Sequence, residues 1–176
     1  RSTGFVASGN VNASSYLYQP WFAQLRGGIG FVRSTASGGD GDASKSFSLT
    51  GEGGLNLFPA SRFPFDASFS VSDSRASGEI TSSDFRTTRI GLRQAYRALD
   101  GAQYLARYER NVISGATFGK DVLDVVEGTY AKRFAAHAVE LSGNHSSNTG
   151  GVNGTQSNLT RFYGRDSYAP AANLNV

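Results

Sequence analysis

Apolar and polar side chains alternate one for one along most of this chain. From Pro64 to Ser72, Phe65, Ala67, Phe69 and Val71 are apolar, while Asp66, Ser68, Ser70 and Ser72 are polar. A period of two belongs to a β-strand, whose successive side chains point to opposite faces. Lys45 to Phe58 repeats the pattern, with Phe47, Leu49, Gly51, Gly53, Leu55 and Leu57 on one face. Trp21 to Arg33 does the same with Trp21, Ala23, Leu25, Gly27, Ile29 and Phe31. Further along, Ile90, Leu92 and Tyr96 stand against Arg89, Gly91, Arg93 and Arg97. Ala102, Tyr104, Ala106 and Tyr108 then oppose Gln103, Arg107, Glu109 and Asn111, and His137, Val139 and Leu141 oppose Glu140, Ser142 and Asn144. Phe5 to Ser14 is a weaker case, and Asp121 to Lys132 and Asn158 to Tyr168 leave the phase open.

Breaks between these segments alternate in length. Short ones fall at Tyr18 to Pro20, Pro59 to Phe63, Leu99 to Gly101, Phe134 to Ala136 and Tyr168 to Pro170. Long ones, rich in Gly, Ser and Asn, fall at Ser34 to Ser44, Arg75 to Asp84, Ser114 to Lys120 and Asn144 to Ser157. Asp-Gly and Pro form turns for steric reasons. Reading each break as a hairpin gives an all-β, antiparallel up-and-down sheet of about ten strands, with 176 residues forming one domain. All short turns then lie at one end of the sheet. The aromatic side chains gather there: Tyr16, Tyr18, Trp21, Phe65, Tyr96, Tyr104, Tyr130, Phe134 and Tyr168 are each within a few residues of a short turn. Rings with a polar tip suit an apolar–water boundary.

Composition removes several function classes. With no Cys there is no disulfide framework, thiolate metal site or cysteine nucleophile, and two His leave little for a metal cage. No apolar run approaches the length of a membrane-spanning helix. The net charge of +3 is small and the basic residues are spread along strands, which speaks against a nucleic-acid partner.

The sequence resembles bacterial outer-membrane β-barrels of porin-like architecture. The likeness covers Phe5 to Val176 and is carried by segments such as Pro64 to Ser72, the alternating break lengths and the aromatic girdle. No motif singles out a subfamily. The resemblance implies an antiparallel transmembrane β-barrel in the bacterial outer membrane, with short turns facing the periplasm and long loops facing outward. It implies a lipid bilayer as partner, with other outer-membrane or periplasmic proteins as further candidates, and no cofactor. The polar face would line the lumen with Arg26, Glu52, Asp66, Arg89, Arg93, Arg97, Arg107, Glu109 and Glu140. A charged lumen filters solutes, and surplus arginine favours anions; the same charges could instead form ion-pair ladders that fill the interior. Because barrels of this kind have both termini on the periplasmic side, the chain is expected to be part of a larger barrel, incomplete at both ends.

Three functions follow as expectations. The first is a pore or conduit for solutes or for a threaded partner. The second is a structural barrel that anchors or scaffolds an outer-membrane complex without transport. The third is a soluble β-sandwich or propeller binding module; the short breaks recur near blade length, but the propeller signatures are missing. Asp40-Gly-Asp42-Ala-Ser44 begins like a calcium loop, yet Lys45 and Gly51 stand where such a loop needs Gly and Glu. Gly27-Gly28-Ile29-Gly30 lacks the third glycine of a nucleotide fingerprint. A His145–Asp121 pair at the outer end is sterically open, but no nucleophile goes with it. No catalytic or metal-binding residue is assigned, and the chain is not expected to be an enzyme.

Overall fold

The computed structural model describes residues 3–38, 43–78, 82–116, 119–151 and 154–168. Nine strands follow one another: β1 (Thr3–Leu17), β2 (Ala23–Ser37), β3 (Ala43–Leu57), β4 (Phe65–Ser77), β5 (Ser82–Arg97), β6 (Gln103–Gly115), β7 (Gly119–Phe134), β8 (His137–Gly150) and β9 (Thr155–Tyr168). They form one antiparallel sheet in the order β1 to β9, without a crossover. The sheet is not closed into a barrel: β1 and β9 are its two edges. The expected tenth strand, after Pro170, falls outside the described residues.

Every ladder is in continuous register, so a residue and its partner share a face along the whole strand. The row that starts at Ala23, the first residue of β2, passes through Leu57, Phe65, Gln94, Ala106, Gly128 and Gly143 to Phe162. Phe162 lies six residues before the end of β9 at Tyr168. Pairing thus slips by about one residue per strand, a stagger that inclines strands against the line of turns.

The break lengths differ from expectation. At the aromatic end the connections are residues 18–22, 58–64, 98–102 and 135–136; at the other end they are 38–42, 78–81, 116–118 and 151–154. The expected long loops are therefore mostly strand. Ser34 to Ser37 and Asn144 to Gly150 carry too few apolar side chains to show a period. Their backbones pair all the same, with Thr3 opposite Ser37 and Gly150 opposite Thr155. Hydroxyls add cross-strand contacts, Thr3 to Ser37 at 2.9 Å and Ser46 to Ser34 at 3.2 Å. Trp21 lies in the turn before β2 rather than in a strand.

Among the described residues nothing covers either face of the sheet. Among the described residues only Ala23 and Ala102 are buried apolar side chains. The accessible surface is 12834 Å², against about 8,300 Å² for a compact monomer of this mass. The apolar face leaves Leu25, Ile29, Phe31, Leu49, Phe69, Ile90, Leu92, Val126 and Leu141 exposed. A soluble sheet of this size needs a second layer against such a face.

Candidate functional site: a charged groove and an aromatic rim

Register decides which charges meet. Arg26 lies opposite Gly54, Gly54 opposite Ser68, Ser68 opposite Gly91 and Gly91 opposite Glu109, and the row continues through Val125 to Ser146. Residues at even steps from this row share its face. All nine charged residues singled out in the sequence do so: Arg26, Glu52, Asp66, Arg89, Arg93, Arg97, Arg107, Glu109 and Glu140. Asp121, Glu127, Arg133, Arg161 and Arg165 join them, and the sequence left them out because the phases of β7 and β9 were open.

Part of this face hollows into a groove of ≈ 750 Å³ across β1 to β6, lined by Arg26, Arg89, Arg93, Arg107, Asp66 and Glu109 together with Tyr16, Gln24 and Asn56. Glu109 is shared between Arg107 at 2.7 Å and Arg89 at 3.5 Å, and Arg93 reaches Asp66 at 3.4 Å. All these side chains stay partly in solvent, so each pair contributes little to stability. Four arginines face two carboxylates, which leaves the groove net positive. Arg26 lies across Gly54, where a Cβ would come within 2.5 Å of its Nε. The glycine leaves room for the arginine side chain to cross that strand. Glu52, Arg97 and Glu140 lie outside this groove, Arg97 and Glu140 nearer the aromatic end, with Glu140 opposite Arg165.

The aromatic rim is built of ring clusters set side by side. Tyr18 meets Phe22 at 6.3 Å, Trp21 meets Phe22 at 6.5 Å, and Phe22 meets Phe58 at 5.2 Å, all edge to face. Phe63 stacks on Tyr96 at 4.7 Å, Tyr96 on Tyr104 at 5.7 Å, and Tyr104 leans on Tyr130 at 5.1 Å. Lys132 Nζ sits 5.0 Å from the centre of the Phe134 ring, and His137 meets Tyr168 at 4.9 Å. Tyr18 and Phe58 have φ of 64° and 50°, a left-handed backbone that costs a side chain about 1–2 kcal/mol. Ring packing and the bond from Phe58 N to Phe22 O, at 2.8 Å, hold the two turns there. Phe65, Tyr96, Tyr104, Tyr130, Phe134 and Tyr168 belong to the apolar face. Tyr16 does not: it lies opposite Gln24 and lines the charged groove.

Asp100, in the turn between β5 and β6, accepts a hydrogen bond from Lys132 Nζ at 2.6 Å and another from Ala102 N at 3.2 Å. The lysine first, and then the backbone amide, hold its carboxyl below the ordinary 3.8. A lowered folded value stabilises the fold above the unfolded value, and that contribution is lost as pH falls through the folded one. An NMR titration of Asp100 is expected to give a midpoint below 3.8, and Lys132→Met should raise it.

The other sequence candidates resolve plainly. His145 is on the apolar face, its Nδ1 2.8 Å from the Thr160 hydroxyl. Asp121 is on the charged face and accepts from Gly151 N at 2.8 Å, so no His145–Asp121 pair forms. Gly27 to Gly30 lies within β2, and no helix follows it. Asp40 to Asp42 lies outside the described residues. No family model matches this chain, and neither the curated proteins nor the solved structures gave a match. Fold and site define an all-β protein built of one sheet with an apolar and a charged face.

Proposed function

We propose that the chain is wall of an outer-membrane β-barrel that passes small solutes, anions in preference. One observation carries this reading: an uncovered apolar face, edged by a belt of rings, backs directly onto a charged groove. Lipid is the solvent that leaves such a face uncovered at no cost, and rings at its border suit the interface. The charged face then lines water. Strand lengths of 13 to 16 residues exceed the roughly 9–11 needed to span a bilayer at a tilt, which leaves the polar strand ends beyond the lipid. Strand direction adds a condition. β1 and β9 run the same way, so a wholly antiparallel closed wall that includes these nine strands has at least one more.

A second reading is a structural barrel without transport, favoured by the ion pairs around Glu109 and Asp66 that partly fill the groove. Planar-bilayer recording separates the two. Stepwise ohmic currents with a reversal potential on the anion side are expected; a silent bilayer from folded, inserted protein sinks the pore and leaves the scaffold.

A further inference from the structure

Several charges stand on the apolar face, and one pair of them lies between apolar rows. Arg110 on β6 and Asp124 on β7 lie directly opposite each other on the apolar side, Nε to Oδ1 3.8 Å apart. The Tyr108 hydroxyl donates to the same Asp124 oxygen at 2.7 Å. On β6 and β7 the pair lies between apolar rows, while Ser147 and Asn158 continue its own row on β8 and β9. Tyr108 and Val126 precede it toward the aromatic end, and Val112 opposite Val122 follows it on the other side. The row beyond Val112 and Val122 is charged and polar, with Lys120 opposite Ser114, Ser114 opposite Arg86 and Arg86 opposite Asp73. Both side chains remain partly accessible, 44% for Arg110 and 33% for Asp124.

Lipid is a poor neighbour for such a pair, since an arginine facing the bilayer interior costs about 2–4 kcal/mol, and charges at that depth are ordinarily turned toward protein. We infer that this sector of β6 and β7 packs against a second copy of the chain. The patch complements itself. A two-fold axis between Arg110 and Asp124 sets each arginine against the partner's aspartate, so each charge gains a second counter-charge and is shielded by the flanking valines. An isologous contact of this kind closes after two copies. This goes beyond the pore reading, because it concerns the outer surface rather than the groove.

The test is a charge swap on the folded chain in detergent, with mass read by light scattering corrected for bound detergent. The unaltered chain is expected to be a dimer. Arg110→Asp and Asp124→Arg alone put like charges across the axis and should weaken self-association by about tenfold or more. An equimolar mixture of the two variants should dimerise again. A monomeric unaltered chain, single variants that still pair with themselves, or a mixture of folded variants that stays monomeric would each overturn the inference. Cross-linking covers variants that fail to fold. The chain has no cysteine, so Val112→Cys mixed with Val122→Cys should form an intermolecular disulfide. Ile29→Cys, in the same row as Val112 but on β2, should not form one with itself; cross-linking equal at both sites refutes a specific interface. A monomer that conducts leaves the pore standing and removes the dimer; a dimer that is silent does the reverse.

Discussion

Leu92→Arg is expected to lower the unfolding free energy in lipid vesicles by about 2–4 kcal/mol. Leu92 is on the apolar face of β5, between Ala67 on β4 and Tyr108 on β6, with Ile90 next along the same face. On the barrel reading its surroundings are acyl chains, and no carboxylate partners it there. Arg93→Leu, one residue on, faces the groove and gives up a single exposed contact to Asp66 at 3.4 Å. That loss is worth about 1 kcal/mol or less, and the variant should shift ion preference instead. Urea unfolding of both variants, folded into the same vesicles, checks the order. If Arg93→Leu proves the costlier, the faces of β5 are assigned the wrong way round.

The largest change in function is expected from inverting the groove. In its lining, Arg26, Arg89, Arg93 and Arg107 oppose Asp66 and Glu109. Replacing Arg26, Arg93 and Arg107 by Glu leaves Arg89 alone against five carboxylates, and Arg89 keeps Glu109 as a partner at 3.5 Å. None of the three sites touches the apolar face, so insertion should be unaffected. In a potassium chloride gradient the zero-current potential should change sign, because the fixed charge of a narrow aqueous path sets which ion enters. An unchanged anion preference in a conducting triple variant would place the conduction path away from this groove.

How much of this was legible beforehand varied with local chemistry. Phe65 to Val71 announced β4 and its face because apolar and polar positions alternate there without exception. The same clarity in β2, β3, β5, β6 and β8, together with β4, puts nine charged residues on one side from the sequence alone. β7 was opaque because Val122-Leu123 and Val125-Val126 are apolar doublets that satisfy both phases, and Phe162-Tyr163 hides the phase of β9 in the same way. Only pairing with a neighbour settles such strands: Glu127 takes the charged face because it stands opposite Arg107. The Arg110–Asp124 pair was invisible for that reason, since its meaning depends on the register between β6 and β7. Tyr16 misled because closeness to a turn locates a ring along the strand and says nothing of which side it takes. The polar strand ends were missed because hydrogen-bonded backbone leaves no mark in side-chain hydropathy.

The strictly sequential order of β1 to β9 has a consequence for how such a wall can vary. Each hairpin touches only the ones before and after it, as units in a linear array do. Duplicating or deleting a hairpin therefore alters the width of the sheet while every remaining contact keeps its type. The unbroken register helps, since among the described residues no bulge ties a strand to one particular neighbour. On the barrel reading, changes in bore are open by whole-hairpin steps, two strands at a time, with the alternation of direction preserved at every step.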